Sequence, residues 1–185
     1  RTVFLDSKPI LIHVDNPIGK SKADFLAEFS NQHGAKAPPA GIKMDKPAVI
    51  ILLDISGSML AEDMQPQNRF TSAKAAISKF LQTNTEMMVG LKCFAREVIT
   101  ISLLTQSKSE IVKALDGIQS GLIKDGTCIG DAVFEATKEF AGYAGNKKAV
   151  ILLTDGVNNR GHLDPFAAID FASNDHIIIH TIALG

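Results

Sequence analysis

The run Ala48-Val49-Ile50-Ile51-Leu52-Leu53 is apolar at every position. A strand with one face in water alternates apolar and polar residues, so an unbroken run of this length predicts a parallel strand covered on both faces. Ala149 to Thr154 has the same character, and His176 to Leu184 predicts a last strand. The period then changes: Phe70, Ala73, Ile77, Phe80 and Leu81 fall on one face of a helix over 70–81. Met87 to Phe94 returns as a strand. Only Ala95-Arg96 separates it from Glu97 to Ile101, and a parallel return needs a dozen or more residues, so this next segment is expected as an antiparallel edge strand. Helices are expected over 109–115, over 129–141 and from Pro165, which suits a first helical turn. Alternating strands and helices with one edge hairpin predict an α/β fold: an open, doubly wound, mostly parallel sheet with one antiparallel edge strand and helices on both faces.

Residues 1–46 read differently. Thr2 to Leu5 and Pro9 to Val14 predict a hairpin around Asp6-Ser7-Lys8, and Ser21 caps a short helix through Phe25, Leu26 and Phe29 that Gly34 closes. A Pro/Gly/Lys-rich linker leads from there to the main domain, residues 47–185.

Composition narrows the function classes. With 185 residues, one core is expected. Lys and Arg number 19 against 20 Asp and Glu, so the chain has no global basic field to attract nucleic acid. Cys93 and Cys128 are too few for a disulfide scaffold, sit in no CxxC or Cys/His cluster, and are expected as small buried apolar groups. No apolar run approaches the roughly 20 residues that cross a bilayer. The first residue is Arg1 rather than Met, so removed targeting or membrane segments are expected.

The chemistry lies where strands end. The first buried strand runs into Asp54-Ile55-Ser56-Gly57-Ser58-Met59, which places a carboxylate and two hydroxyls on one loop. The strand over 149–154 ends in Asp155-Gly156, and a Gly-punctuated loop brings Thr127 to the start of a helix. In an open α/β sheet, ligands bind at the carboxyl ends of the strands where strand order reverses, so these loops converge if their strands are neighbours there. Hard oxygen donors without sulfur or imidazole select Mg²⁺, with Mn²⁺ or Ca²⁺ as alternatives, over zinc or copper. Asp-x-Ser-x-Ser alone also occurs as a simple helix cap; three oxygen-bearing loops in this order make the metal reading specific. Asp63, Asp125 and Asp131 are expected as solvated loop or helix-start carboxylates. His176 and His180, four apart on a strand, lack the Glu of a His-Glu-x-x-His motif.

Asp54-x-Ser56-x-Ser58, Thr127 in its Gly-Thr-x-Ile-Gly loop, and Thr154-Asp155-Gly156 resemble the metal-ion-dependent adhesion site of von Willebrand factor A (VWA) and integrin I domains, over about residues 47–185. Asp-Ile-Ser-Gly-Ser-Met-Leu-Ala-Glu-Asp-Met, Asn68-Arg69 and Leu153 to Asn159 resemble the bacterial aerotolerance (Bat) type of VWA protein. The resemblance implies direct metal ligation by Ser56 and Ser58, and by Thr127 when a ligand is engaged. Asp54 and Asp155 would act through bridging waters. A last coordination position is left for an Asp or Glu of a protein partner, with Met59, Leu60, Asn158, Asn159 and Arg160 at the rim as partner contacts. Bat proteins also imply a MoxR-type AAA+ ATPase as partner and a periplasmic or other extracytoplasmic location, membrane-anchored through segments absent here. VWA domains continue past the strand matching 176–184 with a further helix, strand and final helix. The expectation is that the N-terminal hairpin and helix cover that sheet edge instead.

Three functions remain open at this point: a metal-dependent adhesion module, a regulatory or scaffold subunit, and a Mg²⁺-dependent phosphatase-like enzyme. The residues resist the third, because Ser56 stands where a haloacid-dehalogenase-like site needs a second Asp and no Gly-x-Ser-x-Gly elbow is present. A non-enzymatic role is therefore expected.

Overall fold

The computed structural model describes residues 2–5, 8–11, 46–64, 68–121, 123–143, 145 and 147–185. A two-stranded antiparallel hairpin, β1 (Thr2–Leu5) with β2 (Lys8–Leu11), precedes the main domain. Its first strand approaches the last strand of the main sheet. The expected helix with Phe25, Leu26 and Phe29, and the linker that follows, lie outside the described residues.

The main domain runs β3 (Ala48–Asp54), α1 (Arg69–Thr83), β4 (Met88–Phe94), β5 (Val98–Thr105), α2 (Lys108–Gly117), α3 (Ile129–Glu139), β6 (Lys148–Thr154), α4 (Pro165–Asn174) and β7 (Ile177–Ala183). Short 3₁₀ turns occupy Gly57–Leu60 and Phe140–Gly142. The five-stranded sheet has the order β5-β4-β3-β6-β7. All neighbours are parallel except β4 and β5, whose three-residue connection forces the antiparallel pairing. The fold class is the one the pattern predicts. The edge strand extends further than expected, to Thr105, through irregular register at Leu91.

Side-chain alternation splits the core into two layers. Val49, Ile51 and Leu53 face one side with Val89, Leu91 and Cys93, beneath Phe70, Ala73, Ile77 and Leu81 of α1 and Ile111 and Leu115 of α2. Ile50, Leu52, Val150 and Leu152 face the other, beneath Ala132, Val133, Phe134 and Ala136 of α3 and Ala168 and Ala172 of α4. β3 is buried at all seven positions, which is why its sequence shows no alternation.

The polarity of the helix ends fixes the loops above. Asn68 caps α1 by accepting a hydrogen bond from the Thr71 N–H at 2.9 Å, and Asp164 caps α4 ahead of Pro165. Gly130, in the first turn of α3, admits the backbone of the loop before α4: a Cβ there would lie 1.9 Å from the Leu163 carbonyl oxygen. Asp131 lies in the first turn of α3, a helix-start carboxylate as expected, but it is 8% exposed rather than solvated. Its carboxylate accepts the His162 N–H at 2.9 Å and the Leu163 N–H at 2.8 Å, so it holds the same loop against α3. Desolvated backbone donors need an acceptor, and this carboxylate supplies it.

Candidate metal centre

From β3, chain order passes to β4 on one side of the sheet, while β6 lies on the other side of β3. The crevice between the carboxyl ends of β3 and β6 is therefore the place where strand direction of travel reverses. Leu53 pairs with Leu153, so Asp54 and Thr154 face each other across it. The Thr154 hydroxyl donates to Asp54 Oδ2 at 2.6 Å, and the Ser56 N–H donates to Asp54 Oδ1 at 2.8 Å. Asp54 is fully buried. Burial pushes its carboxyl above the ordinary carboxylate range; the Ser56 and Thr154 hydrogen bonds oppose this, and the Asp155 charge adds to it.

Past Asp54, the 3₁₀ turn presents Ser56 and Ser58 on one edge, with 3.2 Å between their Oγ atoms. Ser58 Oγ donates to Asp155 Oδ1 at 2.9 Å, which joins the first loop to the end of β6. The third loop is held by backbone and amide groups: Asn159 Oδ1 accepts the Thr127 N–H at 3.0 Å, and the Asn159 and Arg160 N–H groups donate to the Thr127 carbonyl at 3.0 and 3.2 Å. Asp125 is exposed, as expected, and its carboxylate accepts the Gly57 N–H at 3.0 Å, which ties the third loop to the first. Backbone hydrogen bonds from Gly57 and Gly126 hold its carboxyl below the usual range.

At Gly156 the loop after β6 meets both of the other loops. A Cβ at this position would lie 3.3 Å from Thr127 Oγ1 and 3.8 Å from Asp54 Oδ2, so the missing side chain leaves the cradle between them open. Asp54, Ser56, Ser58, Thr127 and Asp155 are thus brought to one crevice. Adjacent ligands of an octahedral ion at about 2.0–2.1 Å stand about 2.9 Å apart, close to the Ser56–Ser58 separation. The donor set is all oxygen and fits a hard divalent cation. Among the described residues there is no cluster of three or more His, Cys, Asp or Glu suited to a metal; this crevice carries two carboxylates and relies on hydroxyls.

The rim differs from expectation at one position. Met59 is fully buried in the α1 layer and cannot touch a partner, because the 3₁₀ turn rotates it inward while Leu60 stays 50% exposed. Asn159 and Arg160 are exposed, and Asn158 is half-buried with its Oδ1 accepting the Gly130 N–H at 3.4 Å. Val157, which the sequence did not single out, is 82% exposed. Cys128 is buried beside Thr127 and its thiol is pushed up to about 12 by burial; Cys93 behaves likewise, and both are free.

Arg69 and Thr154 stand within the motifs that carry the family resemblance, but sequence reasoning assigns neither a role; the structure makes both part of the site. Arg69 Nη1 donates to Asp155 Oδ2 at 2.6 Å. Its Nε donates to Asp63 Oδ1 at 2.8 Å, and Nη2 reaches the other Asp63 oxygen. An Arg at a helix start opposes the helix dipole, and that conflict was the available signal.

Residues 49–158 match the family described as von Willebrand factor type A domain. An aerotolerance-related membrane protein from Bacteroides fragilis is 35% identical with a TM-score of 0.70, over 75% of this chain and 68% of that one. BatB, a conserved hypothetical protein from Bacteroides thetaiotaomicron, is 35% identical with a TM-score of 0.65, over 74% of this chain and 66% of that one. An uncharacterized protein of Borreliella burgdorferi is 27% identical over 137 residues, which is 74% of this chain but 40% of that protein. The chain therefore spans less than half the length of this curated relative.

Proposed function

Since the chain belongs to the von Willebrand factor type A family, whose domains commonly mediate protein interactions, we propose that it is a divalent-metal-dependent binding module that captures an Asp or Glu side chain of a protein partner. The observation that carries this reading is the convergence of Asp54, Ser56, Ser58, Thr127 and Asp155 at the crevice between β3 and β6, around the space that Gly156 leaves. Ser56, Ser58 and Thr127 would hold Mg²⁺, or Mn²⁺ or Ca²⁺, through their hydroxyls. Asp54 and Asp155 would orient those hydroxyls and balance part of the charge. When bound, the ion supplies a partly neutralised positive centre that attracts an anionic oxygen. Leu60 and Val157 give the rim an apolar character, and the partner's acidic residue would sit between apolar contacts.

The similarity to the aerotolerance-related membrane protein of Bacteroides fragilis supports an extracytoplasmic domain of a membrane-associated protein; among the described residues, no helix is long and apolar enough to cross a membrane. An AAA+ ATPase of the MoxR type is a further proposed partner, on the resemblance of the Asp54–Met64 and Leu153–Asn159 motifs to Bat proteins.

Calorimetric titration with Mg²⁺, Mn²⁺ and Ca²⁺ tests the reading, with Ser56→Ala as control. The expected result is one site per chain, lost in Ser56→Ala without a change in circular dichroism. Absence of binding by any of the three ions to the unaltered protein removes the proposal. Phosphate-ester turnover abolished by Asp54→Ala would favour an enzyme instead.

A further inference from the structure

Arg69 stands at the first position of α1, where no acidic side chain offsets its charge within the helix turn and the helix dipole opposes a cation. It is nonetheless 81% shielded, with its side chain 19% exposed. Two carboxylates hold it there, and they are unlike each other. Asp63 is 46% exposed and lies outside the crevice. Asp155 has no exposed side-chain surface and belongs to the candidate metal set. Both Asp155 oxygens are thereby engaged, Oδ1 by the Ser58 hydroxyl at 2.9 Å and Oδ2 by Arg69 Nη1 at 2.6 Å.

This arrangement has a consequence for charge. Two carboxylates, Asp54 and Asp155, would neutralise a divalent ion between them. The Arg69 guanidinium, shared between Asp63 and Asp155, already takes up part of the Asp155 charge, so the two carboxylates fall short of neutralising the ion and the centre keeps a partial positive charge after the ion enters. We propose that Arg69 is a positioning residue that keeps Asp155 from giving an oxygen directly to the metal, so that metal binds weakly alone and an external carboxylate completes both coordination and charge. The inference rests on the metal-dependent reading above and names what makes the site selective for an acidic ligand. Arg69 thereby sets the two binding steps against each other: the same group that weakens binding of the metal alone strengthens binding of a carboxylate to the metal-loaded site.

The test uses Mn²⁺ as the ion and acetate as the carboxylate, with Arg69→Met and Arg69→Lys beside the unaltered protein. Mn²⁺ affinity is read by electron paramagnetic resonance, and acetate binding to the Mn²⁺-loaded protein by water-proton relaxation. Arg69→Met is expected to bind Mn²⁺ at least tenfold more tightly and acetate at least threefold more weakly. Arg69→Lys, which keeps the charge, should stay nearer the unaltered protein on both counts. In the metal-free state Arg69→Met should melt lower, because Asp63 and Asp155 lose their cation, and Mn²⁺ should raise its melting temperature more than it raises that of the unaltered protein. A residue that merely braces the loop would lower Mn²⁺ affinity and metal-free stability together, and equal or weaker Mn²⁺ binding by a folded Arg69→Met overturns the inference while leaving the metal site standing. If Arg69→Met does not fold, Arg69→Gln carries the same comparison. An unaltered protein that binds no Mn²⁺ ends both readings.

Discussion

At the residue scale, the site combines groups that cost stability with groups that shape space. Asp54 is a carboxylate without surface exposure whose pKa is raised chiefly by burial. A raised acid pKa means the folded state prefers the protonated form. The stabilisation from this group is therefore complete below the ordinary carboxylate pKa and is lost as pH rises through the folded value. Metal-free protein should accordingly lose part of its stability as pH climbs from the carboxylate range toward neutrality, and Asp54→Asn should abolish that component. At pH 7 the same variant is expected to melt roughly 2–4 °C higher without metal, the shift that about 1 kcal/mol makes in a domain of this size. Differential scanning calorimetry over pH checks both statements, and an unchanged pH profile in Asp54→Asn contradicts the assignment. Gly156→Ala tests the cradle. Its Cβ would press on Thr127 Oγ1 from 3.3 Å, so metal affinity should fall at least tenfold in a titration while unfolding in urea shows a cost of about 1 kcal/mol.

Elements are joined by polar groups that the apolar pattern conceals. β4 is buried at every position, yet it carries Lys92, which is 3% exposed. Its ammonium donates to Thr100 Oγ1 on β5 at 2.7 Å and faces Glu139 Oε2 on α3 at 2.7 Å, an ion pair rather than an aligned hydrogen bond. Glu139 Oε1 accepts the Leu104 N–H of β5 at 2.8 Å. Gly90 leaves the space for this carboxylate, since a Cβ there would lie 3.1 Å from Oε1. The pair fastens the antiparallel edge strand to the helix above it. Lys92→Met strands a buried carboxylate and should cost about 3–5 kcal/mol, whereas Lys92→Met with Glu139→Gln should cost less than the sum of the two single changes. Chemical denaturation of the four proteins gives the coupling directly; simple additivity would show that the pair does not act as a unit.

For the whole molecule, the loops of the candidate centre come from three separate stretches of chain that only the sheet brings together. An ion bound there would favour the folded state by mass action, by about 2.7 kcal/mol at a hundredfold excess over its dissociation constant. That corresponds to a rise of roughly 5–10 °C in melting temperature, reversed by a chelator. A thermal scan with Mg²⁺ and then EDTA measures it, and identical traces would deny the linkage. At the sheet edge next to β6, β7 exposes Ile178 and Ile182, 60% and 44% accessible, in the part of the domain that the N-terminal hairpin approaches.

The amino-acid sequence by itself determined the layered architecture, because each buried parallel strand leaves an unbroken apolar run and each covering helix leaves a 3.6-residue stripe. It also determined which oxygen-bearing loops terminate strands, from Asp54 and Asp155 standing directly at the ends of such runs. Burial of Asp131 and Met59, the Asp125 link to Gly57, the Thr154 hydroxyl on Asp54, and the Arg69 fork were decided by tertiary structure alone. The reason is physical. Periodicity reports how a residue sits relative to its own strand or helix, whereas a polar group's partner is set by strand order and loop path, which bring Asp155 to Arg69 from 86 residues away.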